Sequence, residues 1–362
     1  MNGDKAMFLK NKDYKKIFLL IIIISIICAV ILYGQLGNIS DKNKDISKEI
    51  PEEISAWIVE WQWESGIKDF EEFNDEFNSL QIFAAYFDQY DNLYFTNEFD
   101  RALTKIMELN EDKSKKIYIT IVNDRFNEEG KSVQKDPELL KRLMATKESR
   151  DDHIDKIIKI INEKNFDGVE IDYENIDESI WENYIEFCSS LYKRLKDINK
   201  SLRIVLEPRS PVDKTALPAG PSYIMMAYNL YGYHSEPGPK ANDKFICDLA
   251  SKMDKIPGNK IIAFATGGFD WSEDGKITSL TEVEADKLLE KSLEGVKRDD
   301  SSGSVYFNYI DDDNIKHTVW YADYKTFQQW LSLSKKLGYE NFAIWRLGDI
   351  NNNTLNYLRN YK

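Results

Sequence analysis

One eight-residue segment, 167–174 (D-G-V-E-I-D-Y-E), alternates acidic and apolar side chains with a period of two. This period is typical of a β-strand, so we expect Glu170, Asp172 and Glu174 to project from one face. Three carboxylates in a row repel one another, and burying them raises the pKa of at least one. Such a row is typical of a site that keeps a carboxylic acid protonated near neutral pH. The alternative is an acidic edge strand that faces water.

Strand-like apolar segments alternate with helical patterns from residue 56 onward. Ser179 is a candidate N-cap of the helix that follows the acidic strand, and Gly338 a candidate C′ residue of the last helix. Repeated β-α units of this number predict an α/β fold, a (β/α)8 TIM barrel. The strands are predicted at 57–63, 80–87, 116–123, 167–174, 202–208, 223–230, 260–266 and 341–347, and helices at 150–164, 179–196, 241–254 and 323–337.

The connection between predicted strands 7 and 8 is longer than the others. We expect a small insertion there, with a helix near 281–296 and a hairpin of 304–309 with 316–321. The acidic turn of this hairpin, 311–314, lacks the alternation of a calcium-binding loop. The sequence therefore predicts no metal at this turn.

Candidate functional residues follow several of the predicted strands. Glu174 ends strand four, Tyr228 and Asn229 end strand six, and Trp345 and Arg346 end strand eight. In a barrel of this kind, the carboxyl ends of all strands meet at one face, where active sites form. We therefore expect these side chains to share one site.

Composition excludes several function classes. The 362-residue chain has a formal net charge of −14 and no basic patch in its body, so nucleic acid is not an expected partner. Cys28, Cys188 and Cys247 lack metal-ligand or redox spacing. The three histidines are scattered, so no metal site is predicted.

The N-terminal part of the chain predicts an anchor. Residues 17–33 are almost wholly apolar and follow a lysine-rich segment, 1–16. This pattern predicts a cytoplasmic basic N-terminus, a transmembrane helix at 17–33 and an extracellular domain. The alternative is a cleaved signal peptide and a secreted enzyme. Residues 34–55 are polar and predict a linker, and 56–362 form the barrel domain.

Segment 167–174 resembles the signature D-x-x-D-x-D-x-E of glycoside hydrolase family 18, which includes chitinase-like and peptidoglycan N-acetylglucosaminidase-like enzymes. Residues 226–229 (M-A-Y-N) resemble the family's M-x-Y-D on strand six, and 342–345 (F-A-I-W) resemble its strand eight. Two residues depart from the pattern, since Glu170 and Asn229 stand where the family has Asp. The S-x-G-G of chitinases is also absent from strand three.

The resemblance implies roles for the motif residues. Glu174 would protonate the glycosidic oxygen, and the substrate's 2-acetamido carbonyl would attack the anomeric carbon. Asp172 would orient that acetamido group, Tyr228 would donate a hydrogen bond to its oxygen, and Glu170 would share a proton with Asp172. No metal or organic cofactor is implied. The other implied residues are Trp345, Asn229 and Met226 at the substrate, and Asp167 and Gly168 as structural residues of the motif. Tyr86 near the end of strand two is a further candidate at the substrate, and packing in the core is the alternative.

The implied function is a membrane-anchored, extracytoplasmic glycosidase that cleaves β-linked N-acetylglucosamine glycans with retention. Its partners would be such a polysaccharide and, through the N-terminal helix, the membrane. Peptidoglycan is the first candidate, and chitin oligomers and N-glycans are alternatives. A non-catalytic, lectin-like glycan-binding protein is the competing function, and an anchored scaffold for envelope partners is a third.

Overall fold

Residues from Glu53 onward carry the fold. The N-terminal segments 1–16 and 17–33, and 34–52 of the expected linker, lie outside the described residues. Among the helices that are described, none is both long and apolar enough to cross a membrane. The structure, a computed structural model, describes residues 53–73, 77–127 and 131–361.

Eight parallel strands close into a barrel. Each strand pairs in parallel with the next along the chain, and the last strand pairs with the first. The strands are buried on both faces, as expected when helices cover a parallel sheet. The predicted barrel is confirmed. Its strands are β1 Ile54–Val59, β2 Ser79–Phe87, β3 Lys116–Phe126, β4 Gly168–Asp172, β5 Ser201–Leu206, β6 Ser222–Met226, β7 Asn259–Ala265 and β8 Phe342–Trp345.

Helices surround the barrel and bury one apolar face each. In the helix Lys147–Glu163, for example, Ile154, Ile157 and Ile161 recur at helical spacing and are buried. The β5–β6 connection, 207–221, is fully described and contains no α-helix. The helices are α1 Trp63–Phe73, α2 Asn97–Leu109, α3 Pro137–Met144, α4 Lys147–Glu163, α5 Trp181–Asp197, α6 Asp243–Met253, α7 Glu282–Leu289, α8 Tyr324–Lys336 and α9 Asn352–Arg359.

Two predicted helix ends have different outcomes. Gly338 follows α8 with a φ of +87°, as expected for a C′ residue. Ser179 is not the N-cap of α5, because a short 3-10 turn, Glu178–Ile180, precedes this helix. The carboxylate of Asp177 caps that turn and accepts a hydrogen bond from the backbone N of Ser179 at 2.9 Å.

Strand one ends earlier than predicted. It stops at Val59, and the chain turns through a 3-10 segment, Glu60–Gln62, into α1. The alternating aromatic residues of 57–63 look like a strand, but those from residue 60 onward lie in helical turns. As a consequence Trp61 lies exposed at the barrel mouth, whereas Trp63 Nε1 donates to Glu98 at 2.9 Å.

The insertion between β7 and β8 is larger than expected. The predicted hairpin is present, but it belongs to a five-stranded antiparallel sheet with its own apolar core, and α7 packs on this sheet. The extra strands were missed because strand Gly267–Ser272 begins with two glycines, which sequence patterns assign to loops. The insertion strands, in spatial order, are Ile277–Leu280, Gly267–Ser272, Lys316–Ala322, Val305–Ile310 and Lys297–Arg298.

Candidate active site

The start of β4 is fixed by Asp167 and Gly168. Asp167 accepts a hydrogen bond from the backbone N of Ile117 through Oδ2 at 2.8 Å, and its own backbone N donates to Ile117 O at 2.8 Å. A Cβ on Gly168 would lie 2.1 Å from the backbone O of Ser201 and 2.8 Å from the Tyr118 ring. Only glycine therefore allows the strands on both sides to approach β4 this closely.

Glu170 lies at the centre of the barrel, fully buried, and both of its carboxylate oxygens are bound by donors. Oε1 accepts from Trp57 Nε1 at 2.5 Å and from Thr120 Oγ1 at 3.0 Å. Oε2 accepts from Arg203 Nε at 2.9 Å, and Arg203 also pairs with Glu53. These donors hold the Glu170 side chain in one position beneath Asp172. The proton shared with Asp172, which the family resemblance implied, stays a prediction.

Asp172 ends β4 and is buried beside two other carboxyl groups. Burial raises its pKa well above the usual range, and the charges of Glu174 and Glu170 act in the same direction. Its Oδ1 atom is buried without a hydrogen-bond partner among the residues described. A buried polar atom of this kind is costly unless a ligand or water completes its hydrogen bonds. Asp172 is therefore placed to bind a polar group that enters the cleft.

Glu174 lies at the rim of the barrel, two residues beyond β4. Asn123 holds its backbone, because Asn123 Oδ1 accepts from Glu174 N at 2.9 Å and Nδ2 donates to Glu174 O at 3.0 Å. Its carboxylate forms an ion pair with Lys135. Burial raises the pKa of Glu174, the charge of Lys135 lowers it, and Glu207 and Asp124 raise it further. The net upward shift favours a carboxyl group that can donate a proton.

Aromatic side chains from β6 and β8 form the wall beside these acids. The rings of Tyr228 and Trp345 are nearly parallel, with centroids 6.4 Å apart. Trp345 is held on its other sides by Trp57 and Phe83, at centroid distances of 5.7 and 4.9 Å. Burial and the charge of Asp172 raise the pKa of Tyr228 well above its usual range, so its hydroxyl stays a hydrogen-bond donor.

Two adjoining cavities of about 800 and 420 Å³ form one cleft over this site. Asp172 and Tyr86 line the smaller cavity, where Tyr86 is largely buried and donates to Glu60 Oε1 at 3.0 Å. Asn229 is exposed at the cleft, with a φ of +60°. The residues that line both cavities are Trp61, Lys135, Glu174, Met226, Tyr228, Asn229 and Trp345.

All the predicted site residues except Asp167, Gly168 and Glu170 thus line one cleft, and those three lie beneath it in β4. Lys135, Arg203 and Trp57 were not predicted as site residues. Arg203 had a signal in the sequence, because an arginine in a buried apolar strand (L-R-I-V-L) requires a buried anion. Lys135 had no such signal in the sequence, because it lies in a loop and comes next to Glu174 only in the folded structure.

The site is built for acid catalysis by carboxyl groups. Over the described ranges, no group of three or more His, Cys, Asp or Glu side chains is placed to hold a metal ion. A carboxyl group with a raised pKa at the rim, a second one in the pocket and an aromatic platform together suit proton donation to a leaving oxygen beside a flat, ring-shaped substrate.

Comparisons with known proteins agree with this geometry. The family model described as glycosyl hydrolases family 18 matches residues 59–349. An uncharacterized glycosylase of Bacillus subtilis, YvbX, is 26% identical over 253 residues, which are 66% of this chain and 73% of that protein.

Solved structures share the fold. The spore cortex-lytic enzyme SleL of Bacillus cereus superposes with a TM-score of 0.71 at 17% identity, over 85% of this chain and 73% of that one. A chitinase of Chromobacterium violaceum superposes with a TM-score of 0.73 at 16% identity, over 85% of this chain and 98% of that one.

Proposed function

Because this chain belongs to glycosyl hydrolase family 18 and is therefore a glycoside hydrolase, we propose that it cleaves β-linked N-acetylglucosamine glycans by retaining, substrate-assisted hydrolysis. One observation carries the proposal. Glu174 and Asp172, two carboxyl groups with raised pKa, lie in one cleft with Tyr228 and the Trp345 platform. A site with these parts needs no separate protein nucleophile.

The first step breaks the bond between the anomeric carbon and the leaving oxygen. Glu174 gives its proton to that oxygen, and the carbonyl oxygen of the substrate's own 2-acetamido group bonds to the anomeric carbon. In the second step water attacks the same carbon, and the Glu174 carboxylate takes a proton from the water. Two displacements at one carbon restore its original configuration.

Asp172 and Tyr228 hold the acetamido group during both steps. The unpartnered Oδ1 of Asp172 accepts a hydrogen bond from the acetamido N–H, and the Tyr228 hydroxyl donates to the carbonyl oxygen. Glu170 lies beneath Asp172 and is anchored by Arg203 at 2.9 Å, so it supports the position of Asp172 from below.

Peptidoglycan is the first candidate substrate. A structural neighbour is described as a spore cortex-lytic enzyme, and another as a chitinase, so chitin oligomers are the second candidate. Asn229 stands where the family has Asp, and this difference supports a substrate other than that of standard chitinases.

The test is incubation of the full chain with peptidoglycan and with chitin oligomers, and identification of the products by mass. Substrate from which the N-acetyl groups have been removed is the matched control. We expect cleavage only of the acetylated form, with the β-anomer as the first product by NMR. Cleavage of both forms at equal rate would exclude the substrate-assisted mechanism. Binding of the acetylated glycan without cleavage would favour the lectin-like alternative.

We also propose that the chain is membrane-bound with its catalytic domain outside the cell. The support is the lysine-flanked apolar segment 17–33. Protease added to intact cells should digest the domain, and N-terminal sequencing of the mature protein should begin near Met1. A mature N-terminus between about 29 and 40 would indicate a cleaved signal peptide and a secreted enzyme.

A further inference from the structure

Two cations line the larger cavity although the chain as a whole is strongly acidic. The net charge is −14, yet Lys240 and Arg346 both border the 800 Å³ cavity together with Trp345 and Glu174. Lys240 lies in the β6–β7 connection, and Arg346 follows β8 directly. Neither residue has a role in the proposed cleavage steps.

Thr266, directly after β7, links the Lys240 ammonium to the backbone from which Arg346 and Trp345 project. The Lys240 ammonium donates to the Thr266 carbonyl at 2.6 Å. The Thr266 hydroxyl donates to the Arg346 carbonyl at 3.0 Å, and its backbone N donates to the Trp345 carbonyl at 2.8 Å. The Lys240 ammonium is therefore held beside the end of β8, where the side chain of Arg346 begins at the same cavity.

Aromatic and neutral partners surround the two charged groups. The Lys240 ammonium lies 5.1 Å from the centroid of the Phe269 ring, and the Arg346 guanidinium 5.7 Å from that of Trp61. Arg346 Nη1 also donates to Gln62 Oε1 at 2.5 Å. Such contacts position a cation but leave its charge uncompensated.

Within the described part of the chain, neither Lys240 nor Arg346 forms an ion pair. Asp349 and Glu284 raise the pKa of Arg346 from a distance, but burial has the larger effect and lowers it. Burial lowers the pKa of Lys240 to about 7, and the charge of Arg346 acts in the same direction. Two like charges that disfavour each other in a cavity are stabilised when an anion binds between them.

The other cations of the cavity are already neutralised. Lys135 pairs with Glu174, and Arg209 pairs with Glu207 at 2.9 Å. An anionic ligand would therefore meet its strongest attraction at Lys240 and Arg346.

We propose that Lys240 and Arg346 bind a carboxylate carried by a sugar of the substrate. The inference rests on the proposed glycosidase function and narrows its substrate class. A carboxylate on an ether-linked side group fits this site. N-acetylmuramic acid in a peptidoglycan strand carries such a carboxylate once the peptide that is amide-linked to it has been removed, whereas a chitin oligomer has no group to bind there. An arginine and a lysine beside each other can bind the two oxygens of one carboxylate.

The test compares binding of two matched ligands to the full chain. Both are sulfur-linked oligosaccharides of N-acetylglucosamine and N-acetylmuramic acid, which resist hydrolysis. One has its carboxylates free and the other has them as methylamides. We expect the acid form to bind about 10-fold or more tightly, since a hydrogen bond to a charged group is stronger than one to a neutral group. Lys240→Met and Arg346→Gln should each reduce this ratio towards one.

Lys244→Met is the matched control, because Lys244 pairs with Asp248 on the exposed face of α6 and the substitution changes the net charge equally. It should leave the ratio unchanged. A ratio of affinities does not depend on the fraction of folded protein, so a poorly folding variant still gives a valid result.

Hydrolysis of the oxygen-linked oligosaccharides is measured in parallel. If they are cleaved but the acid and amide ligands bind equally well, the carboxylate site is excluded and the proposed function stands. If neither ligand binds and the oxygen-linked oligosaccharides are not cleaved, the carboxylate site and peptidoglycan as the substrate are both excluded, and cleavage of chitin oligomers decides the proposed function. A ratio that persists in Lys240→Met and in Arg346→Gln would also exclude the two cations as its source.

Discussion

Glu174 and Asp172 both have raised pKa values, but they differ in access to the cleft. The side chain of Glu174 is 18% exposed at the rim, whereas Asp172 lies deeper, with an overall exposure of 6%. A proton donor must reach the leaving oxygen, and this difference in access supports the proposal of Glu174 as the general acid and Asp172 as the positioning partner of the acetamido group.

We expect Glu174→Gln to reduce kcat by about 10²–10⁴, the usual loss when a general acid is removed. The amide is nearly isosteric but has no proton to give to the leaving oxygen. Turnover of the acetylated glycan and the thermal midpoint are the measurements. Glu178→Gln, an exposed residue paired with Lys214, should retain full activity. Unchanged turnover in Glu174→Gln would show that β4 does not supply the acid.

Lys135 should control the alkaline limit of activity. Its positive charge lowers the pKa of Glu174, opposing the upward effect of burial. Because the acid must be protonated to act, activity falls as the pH rises through the pKa of Glu174. Lys135→Met removes the opposing charge, so the alkaline limb of the kcat/KM profile should move to higher pH.

The control for this profile is Lys141→Met, which removes a lysine paired with Glu138 outside the cleft. Its pH profile should match that of the unmodified chain. An alkaline limb that moves to lower pH in Lys135→Met would contradict the electrostatic role of Lys135.

At the residue scale, the sequence predicted the side chains whose spacing is local. Glu174 and Asp172 follow from the period of one strand. The partners of Glu170 could not be found in this way, because Arg203 and Thr120 lie on neighbouring strands and meet Glu170 only through the barrel register. Lys135 depends on a loop conformation that no periodicity describes.

Of the eight barrel strands, β4 is the one that contains a glycine, Gly168. We expect Gly168→Ala to lower the free energy of unfolding by about 1–3 kcal/mol, as overpacked sites do. The reason is the 2.1 Å distance between the new Cβ and the backbone O of Ser201, which cannot move without opening the β4–β5 pairing. Chemical denaturation measures the change.

Gly232→Ala is the control, because its Cβ would lie 3.4 Å from the Phe269 ring, an ordinary contact distance. It should change the free energy of unfolding by much less. Equal stability of Gly168→Ala and the unmodified chain would mean that the two strands have room to separate.

At the element scale, long periodic segments were predicted well and short mixed ones were not. The seven strands after β1 and the helices α4, α5, α6 and α8 lie near their predicted positions, since burial of an apolar face imposes the period. The helices α1, α2, α3 and α9 were not predicted. The predicted strand 57–63 was wrong from residue 60 onward, because Trp57 lies in β1 whereas Trp61 and Trp63 lie in the helical turns that follow. Strand Gly267–Ser272 was not predicted, because its glycines are required by close packing in the folded structure. A Cβ on Gly268 would lie only 1.9 Å from Trp320 O.

In the whole molecule, Glu282 joins the insertion to the C-terminal helix. It begins α7, and its carboxylate accepts from Thr354 Oγ1 at 2.6 Å and from Asn351 N at 3.1 Å. Burial raises its pKa to about 8 from a usual value of 4.5. The protonated form is therefore favoured in the folded state.

This shift predicts a pH-dependent stability. Because the folded-state pKa is raised, the contribution of Glu282 is complete below its unfolded pKa near 4.5 and is lost as the pH rises towards 8. Glu282→Gln cannot ionise, so its thermal midpoint should fall less between pH 5 and 8 than that of the unmodified chain. Parallel curves for the two proteins would show that Glu282 is not the titrating group. Glu284→Gln, two residues further along α7, is the control.

The number and closure of the barrel strands were predictable from the sequence, but the size of the insertion was not. The barrel follows from repeated units that each bury apolar residues. The sheet of the insertion has a separate core of Val305, Phe307, Val319 and their neighbours. Beyond the predicted hairpin, its strand Gly267–Ser272 pairs antiparallel with Lys316–Ala322, which lies far along the chain. Pairing between distant segments produces little periodicity in either segment, so the sequence does not predict it.

The ring of strands closes between the two ends of the domain, since β1 pairs with β8 and Glu53 N donates to Asn341 Oδ1 across 288 residues. At about 5–20 residues per second, a ribosome needs roughly 15–60 s to make that stretch. Until β8 emerges, one edge of β1 has no partner, and open strand edges are templates for aggregation. The unpaired edge of β1 is therefore exposed throughout that time. In a chain that stops before residue 342, β8 is missing and this edge stays exposed.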